Sequence, residues 1–327
     1  MNQRLATTTF LQQPRHSQKH SHPHPAAKLT QRIQKNQYIR SLNHNGLYKR
    51  VITFDNIIIM QTSLIITTYN WPAALNCVLQ SVALQTRLPD EVIIADDGST
   101  DATAELIERL APDFPVPLIH SWQADKGFRL SRSRNKAINR ARYAYIIMID
   151  GDLSLDKYFV ADHIAVAEKG YFITGKRVKL SPALSQKALQ GPTQLSFFSR
   201  GIARGRELAI RSWRLQQYAS VKRGNSIEGI HGCNLAFWRQ DAIDVNGFNA
   251  EFEGWGPEDR EFALRLINSG KQRKLIKFYA VAYHLDHNEN SRENLAKNAN
   301  ILRGIQQSGL TRCALGINEF SQLNDLN

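Results

Sequence analysis

The sequence has few cysteines and no long apolar run. Its three cysteines, Cys77, Cys233 and Cys313, lie far apart and form no CxxC pair. That spacing excludes a disulfide framework and a zinc site built on paired cysteines, and it is typical of a reducing compartment. No apolar run approaches the ~18 residues expected of a transmembrane helix. The N-terminus also lacks the continuous apolar segment of a secretory signal, so we expect a cytoplasmic location.

Acidic residues are scarce at the start of the chain. Residues 1–59 hold nine Lys/Arg, five of the ten histidines and one acid, Asp55, whereas the other 268 residues hold 33 Lys/Arg and 28 Asp/Glu. The net charge of +13 therefore comes mostly from this leader. Its polar text has no hydrophobic periodicity and should not pack. We interpret residues 1–59 as a disordered basic extension, or as the product of an upstream start that is not used, with Met60 opening the compact domain.

The leader has other interpretations as well. Its basic charge is also typical of a targeting arm or a nucleic-acid-binding arm. The HSHPHP run at residues 20–25 offers imidazoles that would bind a metal weakly, although a solvated His-rich tail explains the same run.

Strands and helices alternate in the text that begins at Ser63. Apolar runs predict strands at 63–67, 91–96, 117–122 and 143–150. Helical patterns lie between them at 72–85, 102–111 and 131–142. This alternation predicts a largely parallel sheet covered by helices. In such sheets ligands bind beyond the carboxyl ends of the strands, and three of these ends are polar, with the sequences TTYN, DDGSTD and DGD.

The DGD run places two carboxylates directly after the apolar strand YAYIIMI. Asp150 and Asp152 must leave the core there, because carboxylates are almost never buried without a partner. One interpretation is an ordinary turn, since Asp and Gly are common turn residues. The other is a site for a hard divalent cation, which takes carboxylates together with substrate phosphates. Gly151 would let the two carboxylates converge on it.

The order of these motifs resembles that of a known family. TTYN, DDGSTD, RSRNKAINRA and DGD follow one another as they do in the N-terminal half of family 2 glycosyltransferases, which have the GT-A fold. The later text GCNLAFWR and GFNAEFEGWGPEDREFALRL resembles the C-terminal domain of galactosyltransferase-like enzymes. Together the resemblance covers about residues 61–287. It implies an α/β fold with a Rossmann-like, mostly parallel sheet and a smaller C-terminal part for acceptor and metal.

On this resemblance we divide the chain into five segments. After the leader come a nucleotide-sugar-binding subdomain at 60–156 and a basic, aromatic-containing insert at 157–228. An acceptor and catalytic subdomain follows at 229–289, and residues 290–327 form a tail without a readable motif.

The resemblance assigns a set of residues to the nucleotide. Asp97 would accept a hydrogen bond from the uracil N3–H, with Asp96 beside it, although one of this pair also suits a cap on the next helix. Arg134 would approach the uracil or the diphosphate. The predicted nucleotide-binding residues are Thr67, Tyr69, Asp96, Asp97, Arg134 and Asp150, with Arg132 and Asn135 as further candidates.

A divalent cation, Mn²⁺ or Mg²⁺, is implied as cofactor. Asp150 and Asp152 would hold it between the two phosphates of the donor. A third ligand is expected near the end of the matched text, where His284 of AYHLDH fits and His287 is the alternative.

The resemblance also implies the catalytic acid pair. Asp259 would act as the general base on the acceptor hydroxyl, and Glu258 would hold the acceptor. The alternative is a helix cap, because two acids before REFALRL suit a helix N-terminus. Trp255 would present an apolar face to a sugar ring, and Gly232 and Asn234 would shape the sugar pocket.

Residues 176–223 carry eleven Lys/Arg against one acid, Glu207, with several aromatics among the arginines. One interpretation is a solvated face whose apolar stems pack down. The other, which we favour, is an amphipathic segment that meets an anionic membrane or a phosphorylated glycolipid. A pair of glycines, Gly201 and Gly205, argues against one continuous helix.

These features together predict an inverting, metal-dependent transferase. It would move a sugar from UDP-galactose or UDP-GalNAc, or secondly from UDP-glucose or UDP-GlcNAc, to a saccharide or glycolipid of a bacterial surface polysaccharide or lipopolysaccharide. Two alternatives are a nucleotidyltransferase that makes sugar nucleotides and a basic nucleic-acid-binding protein. The first lacks a Gly-rich basic loop after the first strand, and the second loses most of its charge argument without the leader, so we expect no nucleic acid partner.

Overall fold

The structure is a computed structural model that describes residues 60–219, 221–224, 226–288 and 293–321. The predictions for the leader 1–59 lie outside the described residues.

The described residues form short strands and helices in alternation. The strands are β1 Thr62–Thr68, β2 Glu91–Asp96, β3 Leu118–Trp122, β4 Tyr145–Asp150, β5 Leu153–Leu155, β6 Tyr171–Thr174, β7 Val178–Leu180, β8 Ile202–Arg204, β9 Val221–Gly224, β10 Asn234–Trp238, β11 Gln272–Leu275 and β12 Ala282–His284. The α-helices are α1 Pro72–Ala83, α2 Asp101–Leu110, α3 Leu130–Arg140, α4 Phe159–Val166, α5 Pro182–Leu189, α6 Trp213–Ala219, α7 Arg239–Asp244, α8 Glu258–Asn268, α9 Leu295–Ser308 and α10 Asn318–Ser321. Two 3₁₀ turns, Ala111–Asp113 and Arg206–Ala209, lie between them.

The four predicted strands form the parallel half of an eight-stranded sheet, which confirms the predicted mixed α/β fold of GT-A type. The strand order is β3-β2-β1-β4-β10-β6-β11-β9. β1 is parallel to β2 and β4, and β3 is parallel to β2. β10 enters antiparallel between β4 and β6. Strands from the predicted 60–156 and 229–289 segments thus share one sheet.

The sequence explains why this sheet is internal. Every residue of β1 and β2 is buried, as expected for strands that are covered on both faces. Leu64 and Ile66 enter one apolar cluster with Leu75 and Val78 of α1. Ile65, which points the opposite way, enters a second cluster that includes α3.

Helix ends differ from the predictions by one or two residues. The helix predicted at 131–142 ends at Arg140, because Ala141 takes an extended conformation with ψ 131°. α1 ends at Ala83, two residues before its predicted end.

The sheet register brings the polar strand ends together. Thr67 of β1 lies opposite Asp150 of β4, and Thr68 lies opposite Asp96 of β2. Gly151 follows so closely on β1 that an added Cβ would come within 2.4 Å of the Thr67 carbonyl oxygen. A side chain at this position would therefore push the DGD turn away from β1.

A second sheet, in the order β5-β12-β7-β8, lies beside the DGD turn. In its antiparallel β5–β12 pair, His284 is opposite Leu153, the residue after Asp152. The amide of Leu285 also donates a 2.9 Å hydrogen bond to the Asp152 carbonyl oxygen. A histidine far along the chain is thus held next to Asp152.

The basic segment 176–223 is not one helix. It contains β7, α5, β8, a 3₁₀ turn, α6 and β9, and both Gly201 (φ 94°) and Gly205 (φ 73°) adopt left-handed conformations that end regular structure. Across the described ranges, no helix has the length and apolar character needed to span a bilayer.

Candidate functional site

A cleft of about 890 Å³ opens at the carboxyl ends of β1 and β4. The sequence-predicted residues that line it are Thr67, Tyr69, Asp97, Arg134, Asp150, Asp152, Gly232, Trp255, Glu258, Asp259 and His284. The cleft has two sides with different chemistry. We call the group Asp152, His284 and His287 the histidine side, and the group Arg134, Asp150, Glu258 and Asp259 the carboxylate side.

On the histidine side, two imidazoles share one carboxylate oxygen. Asp152 Oδ2 lies 3.2 Å from His284 Nε2 and 3.0 Å from His287 Nε2. Burial raises the pKa of Asp152, but the hydrogen bonds with the two histidines outweigh burial and hold this pKa well below its usual range. The hydrogen bond to Asp152 raises the pKa of His287 to about 8.

This group fits a divalent cation. One ligand atom from each of Asp152, His284 and His287 lies within 4.8 Å of the others. Asp152 Oδ1 is buried and has no hydrogen-bond partner among the described residues. An orphaned carboxylate oxygen beside two imidazole nitrogens is a set of atoms that a metal ion would satisfy.

The group that the structure brings together differs from the predicted ligand set in two respects. Asp150 is not part of this group, because its Oδ1 accepts hydrogen bonds from Thr67 Oγ1 at 3.2 Å and Arg134 Nη2 at 3.4 Å. His287, predicted only as the alternative to His284, joins the group together with it. The two carboxylates of the DGD turn thus face different sides of the cleft.

The carboxylate side is organised by one buried guanidinium. Arg134 is 1% exposed, and its Nη1 donates to Glu258 Oε1 at 3.1 Å while Nη2 reaches Asp150. The guanidinium carbon also lies 5.0 Å from the centre of the Phe248 ring. Arg134 therefore connects β4 to the N-terminus of α8.

Two backbone amides hold Asp259 at the start of α8. Its Oδ2 accepts from Gly232 N at 2.5 Å and its Oδ1 accepts from Arg260 N at 2.6 Å. Burial raises the pKa of Asp259 above its ordinary value. Burial raises the pKa of Glu258 to about 7, with nearby Asp259 adding to the effect and Arg134 opposing it. Both acids therefore bind a proton more tightly than exposed carboxylates do, as is common for carboxylates in functional clefts.

Some of the residues predicted for the nucleotide line the cleft, and others lie behind it. Asp97 faces the cleft, accepts hydrogen bonds from Gln123 Nε2 at 2.5 Å and Arg129 N at 2.7 Å, and has a pKa that burial raises to about 6. Tyr69 is 47% exposed at the rim and donates its hydroxyl to Asp125 at 3.0 Å.

Two predicted contacts need correction, because the side chains lie behind the cleft. Asp96 is fully buried; its Oδ1 accepts from Gly98 N and Ser99 N, and its Oδ2 pairs with His120 at 2.8 Å. Asn234 is also fully buried and joins His163 Nε2 to the carbonyls of Lys176 and Ala280. Asp96 supports the turn before α2, and Asn234 supports the wall of the cleft.

Two weaker candidates also have structural partners. Asn135 is buried and exchanges two hydrogen bonds with the backbone of Phe248. Arg132 pairs with Glu319 at 3.1 Å and donates to Gln123. Neither lines the cleft.

The contribution of α9 to the cleft was not predicted from the sequence. Leu295, Ala299 and Leu302 of this helix line the cleft. Asn298 is fully buried, and its Nδ2 donates to the carbonyl oxygens of Glu253 at 2.9 Å and Trp255 at 3.0 Å. α9 thus holds the loop that leads into Glu258, and the weakly helical sequence of residues 290–327 gave no signal of this contact.

Basic residues of the 176–223 segment also reach the cleft unpredicted. Arg177 and Lys179 line it, and Arg177 Nη1 donates to Cys233 Sγ at 2.8 Å. Burial raises the pKa of the Cys233 thiol to about 12, so this cysteine is a packed residue and not an ionised nucleophile.

The α/β fold and the cleft at its strand ends define a nucleotide-sugar-binding type of domain, and two family models that match the chain agree with this class. The model described as "Glycosyl transferase family 2" matches residues 63–244. The model described as "N-terminal domain of galactosyltransferase" matches residues 215–288. The chain belongs to glycosyl transferase family 2, which confirms the resemblance inferred from its motifs.

Curated relatives are larger proteins. The chain is 27% identical over 250 residues to a hyaluronan synthase of Pasteurella multocida, covering 71% of this chain and 25% of the relative. It is 28% identical over 245 residues to a chondroitin synthase of Escherichia coli, covering 70% of this chain and 35% of the relative. The chain therefore spans only about a quarter to a third of the length of these synthases.

Solved structures share the fold. S. aureus TarS superposes with a TM-score of 0.54 at 18% identity, covering 81% of this chain and 42% of that chain. A structure of TarS 1–349 in complex with UDP gives a TM-score of 0.53 at 16% identity, covering 80% of this chain and 68% of that chain. These similarities establish the GT-A type fold.

Proposed function

We propose that the chain transfers a sugar from a UDP-sugar to a saccharide or glycolipid acceptor, with inversion at the anomeric carbon. UDP-galactose and UDP-GalNAc are the favoured donors, and UDP-glucose and UDP-GlcNAc are the second choice. The acceptor would belong to a surface polysaccharide or lipopolysaccharide made in the cytoplasm, at the inner face of the membrane. One observation supports this reaction: a single cleft has a group fit for a cation on one side and, on the other, the buried Glu258 and the half-buried Asp259, both with raised pKa values.

The carboxylate side supplies the base. Asp259 accepts the proton of the acceptor hydroxyl as that oxygen forms its bond to the anomeric carbon. The bond between the anomeric carbon and the UDP oxygen breaks, and its electron pair leaves with UDP. Glu258 holds the acceptor, and Arg134 keeps Glu258 in place through their 3.1 Å hydrogen bond. A positioned base of this kind contributes roughly 10²–10⁴-fold to a rate.

The histidine side would hold the cation through Asp152, His284 and His287. When bound, a divalent cation supplies Lewis-acid stabilisation for the negative charge of the departing diphosphate. Two imidazoles and one carboxylate favour Mn²⁺ over Mg²⁺, because imidazole is a good ligand for transition metals whereas Mg²⁺ takes oxygen ligands. Asp150, on the carboxylate side, would serve the nucleotide.

The remaining lining residues would orient the donor. Thr67, Tyr69 and Asp97 lie at the ends of β1 and β2, where the uracil would bind with its N3–H directed at Asp97. Trp255, 40% exposed in the cleft, presents an apolar ring for a sugar. The family match and this cleft favour a transferase over both alternatives, the nucleotidyltransferase and the nucleic-acid-binding protein.

UDP release from a panel of UDP-sugars, with saccharide acceptors, tests the proposal. We expect turnover with a UDP-hexose, its loss in EDTA, and its recovery on adding Mn²⁺. EDTA already saturated with Mn²⁺ is the control, and it should leave turnover unchanged. Turnover that persists in EDTA would contradict the cation, and release from no UDP-sugar would contradict the donor class.

A further inference from the structure

An aromatic and basic surface lies outside the cleft. Arg211 has its guanidinium carbon 4.0 Å from the Tyr158 ring centre and 5.1 Å from the Tyr279 ring centre. Lys157 extends this row, with its Nζ 5.2 Å from the Tyr158 ring centre. Trp213 extends it at the other end, where its ring centre lies 6.5 Å from that of Tyr279. We call this row, together with the exposed side chains of α6, the aromatic–basic surface. None of these residues lines the cleft.

A buried carboxylate fixes this surface from beneath. Asp162 is 1% exposed, and its two oxygens accept from Arg211 Nη2 at 2.7 Å and Arg211 Nε at 2.9 Å. The same carboxylate accepts from the amide of Ala280 at 3.1 Å. One buried group therefore holds both the arginine and the loop that carries Tyr279.

The loop that carries Tyr279 has a strained backbone at the residue before and the residue after this tyrosine. Phe278 has φ 60° and Ala280 has φ 47°, a left-handed region that non-glycine residues enter only at a cost in free energy. Contacts with α6 maintain this loop, since Ser212 N donates to the Phe278 carbonyl at 3.0 Å and Lys277 N donates to Gln216 Oε1 at 3.2 Å. The ring of Tyr279 is held in a set position at the surface.

The helix α6 turns large side chains outward. Of its residues only Gln216 is buried, whereas Trp213 is 60%, Leu215 42% and Tyr218 90% exposed. Arg214 lies exposed between them. Such an outward set of aromatic and aliphatic side chains next to cations is unusual on a solvated face and marks an interaction site.

We propose that the aromatic–basic surface docks the protein on an anionic membrane. Charge supports this partner, because the surface as defined carries Lys157, Arg211 and Arg214 and includes no acidic residue. Basic residues are attracted by the negative surface potential of an anionic leaflet, and Trp and Tyr rings settle at the level of the lipid headgroups. The aliphatic Leu215 has a place in the acyl boundary, whereas a soluble polyanion would give it none.

The proposal does not depend on the transfer reaction, so the two can fail separately. Binding of the full chain to phosphatidylcholine vesicles, with and without phosphatidylglycerol, is measured by co-sedimentation. We expect binding that requires the anionic lipid and weakens with salt. The double variant Trp213→Ala/Tyr218→Ala should bind anionic vesicles at least about tenfold more weakly than the wild type. Adding Arg214→Glu to this double variant should weaken binding further, toward the level seen with neutral vesicles.

The control is Trp122→Ala, which removes a 46% exposed tryptophan from β3 and should leave vesicle binding unchanged. UDP release on a soluble acceptor and the thermal midpoint should be unaltered in the double variant, which separates loss of docking from misfolding. Equal binding by the wild type and the double variant would overturn the proposal and assign any affinity to other basic residues, such as the leader. Binding to heparin with none to anionic vesicles would overturn it in favour of a polyanionic glycan.

Discussion

On the histidine side of the cleft one carboxylate faces two imidazoles, whereas on the carboxylate side three carboxylates share one buried guanidinium. The pKa of Asp152 is therefore held low, while burial and mutual repulsion hold the pKa of Glu258 high. A carboxylate that stays ionised suits cation binding, and burial also raises the pKa of Asp259, which suits base catalysis. The same residue type thus supports two roles because its neighbours differ.

The largest effect should come from removing the base. Asp259→Asn should lower kcat by roughly 100-fold or more, because the amide cannot take the acceptor proton. UDP binding, measured by calorimetry in the presence of Mn²⁺, should be unchanged because the histidine side is intact.

Asp113→Asn, at an exposed 3₁₀ turn, is the matched control and should retain full activity. Unaltered turnover in Asp259→Asn would remove this residue from the catalytic role and leave only its place at the start of α8.

Changes on the histidine side should weaken binding of the metal ion, which the change at Asp259 should leave intact. His284→Ala and His287→Ala should each weaken Mn²⁺ binding by about 10–100-fold or more, as the loss of groups that orient or ligate a metal does. Electron paramagnetic resonance of free Mn²⁺ measures this without any turnover. His231→Ala, which changes a cleft histidine outside the cluster, should leave Mn²⁺ binding as in the wild type. If only His284→Ala had an effect, His287 would be a hydrogen-bond partner and not a ligand.

These two sides were not equally visible in the sequence. The parallel strands follow from apolar runs such as EVIIAD, whose predicted bounds 91–96 are those of β2. Asp150 and Asp152 were recognised together, but their separation across the cleft depends on Arg134 and on the β5–β12 pairing. Asp152 and His287 lie far apart in the sequence, and the β5–β12 register that brings them together is set by long-range contacts. Their proximity could therefore not be predicted from local sequence.

The position of the loop that leads into Glu258 should depend on α9. Asn298→Ala removes both hydrogen bonds to the Glu253 and Trp255 carbonyls and should reduce kcat/KM by about tenfold, since small misplacements of catalytic groups are costly. Asn300→Ala, an exposed asparagine of the same helix, should behave as the wild type. A loss of stability in Asn298→Ala without a change in kcat/KM would restrict Asn298 to a structural role.

The role of Asn298 could not be predicted from local text. Its side chain matters because it meets the backbone of a loop more than 40 residues earlier in the chain, and helical propensity carries no information on that contact. Asn234 and Asp96 show the reverse case, because their motif positions were recognised but the structure buries both side chains outside the lining of the cleft.

The smallest effect should be on the pH dependence of stability. The pKa of Glu258 rises from 4.5 to about 7 on folding, so the folded state binds more protons than the unfolded state between these values. The free energy of unfolding should therefore be highest below about pH 4.5 with respect to this group and should fall as the pH rises toward 7. Urea unfolding of the wild type and Glu258→Gln across this range measures the difference, and the variant should have the flatter profile. Parallel profiles would show that Glu258 keeps an ordinary affinity for protons.

The antiparallel strand β10 has a consequence for the order of folding. It pairs with β4 on one side and β6 on the other, yet it is formed by residues 234–238. During synthesis the edge of β4 therefore stays open until most of the chain has left the ribosome, and open strand edges invite pairing with other chains. Fragments that stop near residue 156 should consequently be prone to aggregate, even though they contain all the strands of the parallel half.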